Sequence, residues 1–227
     1  MIDKLKVFDF FNNPDQYIKE NPIIELRAYI VKDKIGEKNN LKFIDIGCGN
    51  GMITMQYIKE NQITFVDLSP KMIEIAKRNT PDSFLVNATF INGDISEYVF
   101  NEKFDLTICI GVISHVVDYN KLLIKLKTIT NDTGQILLQF TDSNKLIARI
   151  NNLKTHIFKK NSYQYTLHRF NSRSMQKILS DLGLNITDKV NYWPVSPFFS
   201  IFNYKLKMIL LKRLNQFSSR ERKVALR

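Results

Sequence analysis

The sequence predicts an α/β fold, a doubly wound and mostly parallel sheet covered by helices on both faces. Three observations point to it. Apolar runs of strand length alternate with segments of helical period from residue 41 to residue 140, the pattern of a parallel sheet with helical crossovers. The first run, 41–46, stops at three glycines spaced Gly-x-Gly-x-Gly (Gly47, Gly49, Gly51). The second, Ile63-Thr64-Phe65-Val66, ends in Asp67, 22 positions after Asp45.

Helices come first in the chain. Asn13-Pro14 and Asn21-Pro22 each set a capping residue before a proline at a first helical position. The second of these helices runs through Leu26 and Ile30 to about Gly36, a good C-terminal stop. Strand 1 covers 41–46, and after its glycines a helical pattern starts at once with Met52, Ile53, Met55, Gln56, Tyr57 and Ile58. Strand 2 ends at Asp67, and Ser69-Pro70 opens a helix that continues through Arg78. Strands 3 and 4 cover 88–92 and 104–110. Asp118 caps a helix whose Leu122, Leu123, Leu126 and Ile129 have helical spacing, and strand 5 covers 135–140. Residues 142–170 break the alternation: Asp142 heads a basic helix with Leu146, Ile147, Ile150 and Leu153, and Phe158, Tyr163, Tyr165 and Leu167 follow as a hairpin or extended lid. Asn171 or Ser172 caps a helix that ends at Gly183; strand 6 covers 184–192. After a rigid apolar turn at 193–199, residues 201–214 form an amphipathic basic helix.

Glycines at a strand-to-helix turn let the backbone approach a ligand that a Cβ would push away. A carboxylate at the end of the neighbouring strand accepts two hydrogen bonds from a ribose diol. The unit therefore predicts a nucleoside site at the carboxyl edge of the sheet. A dinucleotide turn wants Gly-x-Gly-x-x-Gly, whereas here the third glycine comes one residue early and Asp45 sits two before the first.

Asp-x-Gly-x-Gly-x-Gly resembles the first motif of the class I S-adenosylmethionine-dependent methyltransferases. The resemblance continues in order. Phe65-Val66-Asp67-Leu68-Ser69-Pro70-Lys71-Met72 looks like the second motif, Asn92-Gly93-Asp94-Ile95 is similar to the third, and residues 104–116 are similar to the fourth in its small-molecule form. Gly134 with Ile136-Leu137-Leu138 resembles the fifth strand, and His168-Arg169-Phe170 with the following helix resembles the return to the sixth. The likeness covers roughly residues 15–192 and implies a Rossmann-like sheet of seven strands. Only residues 223–227 remain to supply strand 7, so that strand is expected to be short or absent. The expected organisation is one domain over 1–227: N-terminal helices (1–38), a cofactor-binding core (39–141), a substrate-cap insertion (142–170) and a C-terminal part (171–227).

The resemblance implies S-adenosyl-L-methionine as cofactor, S-adenosyl-L-homocysteine as product, and methyl transfer by in-line displacement to an oxygen or nitrogen. Backbone at Gly47, Cys48 and Gly49 is expected under the methionine part and ribose, with Gly51 completing the motif. Asp45 holds the amino group, Asp67 the ribose hydroxyls, and Leu68 and Met72 an adenine face. Asp94 accepts from the adenine amino group while Ile95 packs on the ring; Ile110 and Gly111 line the methionine side. Tyr17 and Arg27 reach over from the N-terminal helices, Arg27 toward the methionine carboxylate. His115 is the first choice for a general base because a histidine titrates near neutrality; His168 and Tyr165 come next. Three histidines and two cysteines show no metal-ligand spacing. Asp142 and Asn144 mimic part of the acidic set of metal-dependent catechol-type transferases, but Cys109-Ile110-Gly111 offers no first carboxylate. Metal-independent transfer is the expectation.

Charge is uneven. Residues 1–142 carry 16 Lys and Arg against 19 Asp and Glu; residues 143–227 carry 17 against 3. A basic cap suits an anionic acceptor, such as a phosphorylated or nucleotide-linked sugar precursor of a surface glycan, with Arg149, Arg169 and Arg173 as candidate contacts. Two alternatives stand beside this reading. An RNA or DNA methyltransferase would use the basic half on phosphates, but the fourth motif lacks the Asn/Asp-Pro-Pro-Tyr/Phe of base-amino enzymes and the Pro-Cys of cytosine-C5 enzymes. A non-catalytic cofactor-binding module, or a partner protein lying on an anionic membrane through 201–214, is the third. No apolar run reaches the ~18 residues of a spanning helix, the N-terminus lacks signal-peptide character, and Cys48 and Cys109 fall inside the expected pocket. A reducing cytoplasm is the expected setting.

Overall fold

Residues with successive side chains buried on opposite faces build the centre of the sheet. A computed structural model of the chain describes residues 4–13, 22–142 and 167–190. Within them lie five strands, β1 (Lys42–Ile46), β2 (Gln62–Asp67), β3 (Ala88–Asn92), β4 (Phe104–Ile110) and β5 (Thr130–Gln139), in the order β3-β2-β1-β4-β5. Every neighbouring pair is parallel. Phe43, Phe65 and Ile108 turn to one face and Ile44, Val66 and Cys109 to the other, because side chains alternate along a strand. Parallel strands covered on both faces are rich in apolar residues, and β2 is buried throughout after its first residue.

Five helices are described: α1 (Lys4–Phe11), α2 (Pro22–Ile35), α3 (Pro70–Asn79), α4 (Tyr119–Ile129) and α5 (Ser172–Asp181). Val31 and Ile35 of α2 and Ala76 of α3 pack on the Phe43 face; Leu122, Leu123 and Leu126 of α4 pack with Met175 and Leu179 of α5 on the Ile44 face. Burial of each such leucine contributes about 2 kcal/mol. The expected caps form. Ser69 Oγ accepts from Met72 N–H at 3.3 Å, Asp118 Oδ1 from Lys121 N–H at 3.0 Å, and Asn171 Oδ1 from Ser174 N–H at 2.9 Å.

The structure corrects the sequence reading at three places. After the glycine turn the chain makes one 3-10 turn, Met55–Tyr57, in place of a full helix. Gly51 N–H bonds back to Cys48 O, Met55 N–H to Gly51 O, and Asn61 Nδ2 caps Tyr57 O at 2.9 Å, which ends the turn before β2. Strand β5 begins at Thr130, five residues early, and steps past β4 through an irregularity: Thr130 pairs with Phe104, whereas Gln135 pairs with Leu106. The Thr130 hydroxyl donates to Leu126 O at 2.6 Å and contacts Thr107 Oγ1 at 2.6 Å, tying the strand start to the end of α4. Residues 184–190, expected to begin strand 6, form no strand; Ile186 alone has bridge geometry. Tyr17, Arg149, Asn144, Tyr165, the helix at 201–214 and the strand at 223–227 lie outside the described residues.

Candidate active site at the carboxyl edge of the sheet

The site is built from the ends of β1, β2, β3 and β4. At the end of β1, Gly47 N–H and Cys48 N–H both donate to Val66 O, at 2.8 and 3.1 Å, so the glycine turn folds against β2. Gly47 has φ +67°, and a Cβ there would lie 2.2 Å from Val112 Cγ2. Both the left-handed backbone and the close approach of the loop after β4 therefore require glycine. A Cβ on Gly49 or Gly93 would meet nothing within 4 Å, so the backbone after β1 and after β3 borders open space.

Asp67 closes one side of that space. Its Oδ2 accepts from Gly49 N–H and its Oδ1 from Ser69 N–H, both at 2.9 Å. Burial pushes its carboxyl up, opposed by these backbone bonds. A carboxylate has about four lone-pair sites, and these bonds do not fill them. Asn92 Nδ2 donates to Asp67 O and Leu68 O at 3.0 Å and so fastens the end of β3 to the turn after β2. Asp94 follows on that edge. Its Oδ1 accepts from Ser96 N–H at 2.9 Å, and its Oδ2 pairs with Lys4 Nζ at 2.7 Å. Burial opposes the Asp94 charge, but Lys4 and Ser96 outweigh it and hold the carboxyl below its usual range. Ile95 and Met72 are buried, while Leu68 packs beneath α1.

Asp45 lies beneath the turn, 2% exposed, with Oδ2 accepting from Thr54 Oγ1 at 2.7 Å. Burial raises its carboxyl to about 7; the Thr54 bond works against this and the Asp67 charge adds to it. Burial also pushes up the Cys48 and Cys109 thiols, both free, which makes them packing groups and not nucleophiles.

The end of β4 carries Ile110 and Gly111. A Cβ on Gly111, at φ +78°, would meet the Arg27 guanidinium at 2.8 Å. Glycine thus lets α2 deliver Arg27 flat against the β4 turn. His115 stands in the same loop, its N–H donating to Val112 O at 2.8 Å and its ring edge-on to Phe11, 5.2 Å between centroids. Burial first, then the Arg27 charge, depress His115 to about 4. The expectation of a histidine titrating near neutrality is corrected: His115 is a neutral imidazole across the physiological range. His168 N–H donates to Ser114 O at 3.0 Å, and Nε2 sits 3.2 Å from Val117 O. A carbonyl only accepts, so Nε2 carries a proton in this contact. The ring packs edge-on against Tyr119. Arg169 and Arg173 are exposed.

Sequence reasoning missed Lys4, Phe11, Thr54 and Val112. Each reaches the site from a distant segment or through a turn, and nothing in local periodicity marks it. Among the described residues, no group of three His, Cys, Asp or Glu side chains converges as a metal site, and no helix is long and apolar enough to cross a membrane.

A glycine turn on β1, an acid ending β2 and a second acid after β3 define a doubly wound domain whose carboxyl edge carries two acids beside open backbone. A family model described as methyltransferase domain matches residues 37–185. The chain belongs to that family of class I methyltransferase domains. It is 30% identical over 112 residues to the mitochondrial ubiquinone biosynthesis O-methyltransferase of Schizosaccharomyces pombe, covering 48% of this chain and 40% of that one. It is 28% identical over 139 residues to the trans-aconitate 2-methyltransferase of Enterobacter sp., covering 58% and 51%. The chain spans between 37% and 57% of the length of the curated relatives it matches. Among solved structures, magnesium protoporphyrin IX methyltransferase of Synechocystis with bound S-adenosylhomocysteine superposes with a TM-score of 0.68 at 19% identity, over 85% of this chain and 94% of that one.

Proposed function

We propose that this chain transfers the methyl group of S-adenosylmethionine to an oxygen or nitrogen of a small, anionic metabolite. The observation that carries the reading is the juxtaposition of Gly49, Asp67 and Asp94 around open backbone at the carboxyl edge. Open backbone at Gly49 and Gly93, with Asp67 and Asp94 beside it, supports a fit to the ribose and adenine of the cofactor. When bound, the cofactor supplies an activated methyl group on a good leaving thioether. What the protein must add is alignment and exclusion of water. Asp67 would receive the ribose hydroxyls, Asp94 the adenine amino group, and Arg27 the methionine carboxylate. Asp45 would stabilise the amino group from beneath the turn. Burial and the Arg27 charge make His115 a weak proton acceptor, which suits an acceptor that brings an ionised or lone-pair nucleophile of its own.

The acceptor side rests on charge. In sequence, the basic excess after residue 142 flanks the segment that returns to the loop after β4 through the His168–Ser114 bond. One relative's named substrate, trans-aconitate, is itself an anion. Calorimetry with S-adenosylhomocysteine tests the cofactor half: binding in the micromolar range is expected, with Asp67→Asn losing roughly 1–3 kcal/mol. Absence of binding to the wild-type protein would refute the reading.

A further inference from the structure

Strand β3 stands at one edge of the described sheet, beside β2 alone. Residues along a parallel strand turn their N–H and C=O groups alternately to its two sides. Gly93 N–H donates to Asp67 O at 3.0 Å, so Thr89, Ile91 and Gly93 face β2. Ala88, Phe90 and Asn92 therefore turn their backbone groups outward. Ala88 N–H is taken by Leu85 O in the turn before the strand. Among the described residues, the outward N–H groups of Phe90 and Asn92 and the outward C=O groups of Ala88 and Phe90 have no partner.

Such an edge is a template for another strand, and proteins guard it with lysine, proline or a bulge. Strand β3 has none of these: it reads Ala-Thr-Phe-Ile-Asn, and its register with β2 runs without a shift. Charge is missing well beyond the strand. Residues 83–93 hold no Asp, Glu, Lys or Arg, in a chain that is 24% charged with a net charge of +11. Two copies of so basic a chain repel, and an uncharged strip is where they can meet. The crossover at 93–103 forms no helix, and Thr89 stays exposed.

The outward groups also complement themselves. In an antiparallel pair centred on Phe90, Phe90 N–H donates to the partner's Phe90 O, and Asn92 N–H to the partner's Ala88 O. A twofold axis supplies the reciprocal bonds. The Asn92 C=O, opposite the Ala88 N–H already taken, is left to water.

We propose that β3 pairs with β3 of a second copy of this chain, antiparallel and centred on Phe90, joining two sheets into one. The same register carries the turn holding the partner's Val86 toward Asp94, and so covers a valine that is 89% exposed in the single chain. The two carboxyl edges then point in opposite directions, and each keeps its own opening. The pairing does not depend on the methyl-transfer reading.

The test is sedimentation equilibrium of the full chain from roughly 5 to roughly 200 µM. The wild-type chain is expected to dimerise reversibly across this range. Thr89 is exposed and makes no ladder bond outward, and across the axis it lies diagonal to its own copy, about 7–8 Å away. Thr89→Lys and Thr89→Glu each bring like charges together. Each alone is expected to weaken the dimer about tenfold or more, with thermal melts close to wild type. An equimolar mixture of the two is expected to recover association to within about threefold of wild type, because opposite charges then meet. A wild-type chain that stays monomeric throughout would overturn the proposal. So would a dimer that neither substitution weakens, which would place the contact elsewhere, or a mixture that associates no better than either variant alone.

Discussion

Asp45 offers the sharpest test of the site, because its chemistry is set by its surroundings and not by exposure. The carboxyl is buried and moves from an ordinary 3.8 to about 7, chiefly through burial, with the neighbouring Asp67 charge adding to the displacement. At 1.36 kcal/mol per pH unit, an ionised Asp45 costs the empty fold about 4 kcal/mol. The sign follows from proton binding. The folded state holds this proton more tightly than the unfolded chain, so the contribution is fully present below about 3.8 and is lost as pH rises through about 7. Asp45→Asn keeps an oxygen for Thr54 Oγ1 and abolishes the titration. Its amide N–H groups, if unpaired, cost about 1–3 kcal/mol at every pH. Relative to wild type, the variant should therefore gain about 3 kcal/mol of stability between about pH 5 and about pH 8. Urea unfolding at the two pH values measures it.

The cofactor arm runs the other way. Wild-type affinity for S-adenosylhomocysteine should weaken as pH falls below about 7, as the charge offered to the ligand's amino group is neutralised, while Asp45→Asn binds more weakly and without that slope. A stability difference that stays flat with pH would refute the claim that Asp45 titrates in a buried site. A pH-dependent stability with pH-independent binding would remove Asp45 from the ligand's surroundings.

Further outcomes follow from the same geometry. Gly47→Ala should destabilise by at least about 2 kcal/mol through φ strain and overlap with Val112, and adding Val112→Ala should restore part of it; full tolerance in thermal melts would contradict the turn. The His115 proton resonances should not titrate between about pH 8 and about pH 5.5, since burial and Arg27 hold the ring neutral; an inflection near 6.5 would place the ring in solvent. Turnover, once an acceptor is identified, should survive EDTA, because the fourth motif brings no carboxylate to the site; loss restored by magnesium would show otherwise. Arg169→Ala should raise KM for the acceptor more than for S-adenosylmethionine, and unchanged kinetics with an intact fold would return the basic excess to surface solvation.

The parts of this domain that were legible are those whose causes are local. Strands β1 to β4 fall within about a residue of their apolar runs; in β1, β2 and β4 burial on both faces favours such runs. Ser69, Asp118 and Asn171 cap their helices as their side-chain chemistry dictates. Gly47 announces a turn, but the reason it must be glycine, Val112 pressed against it from 65 positions away, has no local trace. That Arg27 lies against Gly111 and that its charge opposes protonation of His115 have no local trace either. The neutral state of that histidine is a property of two segments meeting, and so the sequence argument from ordinary titration failed there.

The same distinction bears on chemistry. Asp45, Asp67 and Asp94 read alike in sequence, as three acids near three strand ends, yet the fold separates them. Asp45 is drawn toward neutrality by burial. Asp67 is buried too, but three backbone N–H bonds favour its charge. Asp94 lies half in water, and a lysine holds it ionised. A graded set of this kind suits a ligand with a neutral diol, a neutral exocyclic amine and a cationic amino group. Asp67 and Asp94 keep lone pairs ready for hydrogen bonds without needing a counter-charge. Asp45, which the empty fold strains to ionise, is the acid that a cation can repay. Binding a cationic amino group near it would pull its proton off and recover part of the burial penalty, so cofactor binding should release a proton near neutrality. Calorimetry in buffers of different ionisation enthalpy reads that proton directly, and a binding enthalpy independent of buffer at about pH 6.5 would show that Asp45 does not act as this counter-ion.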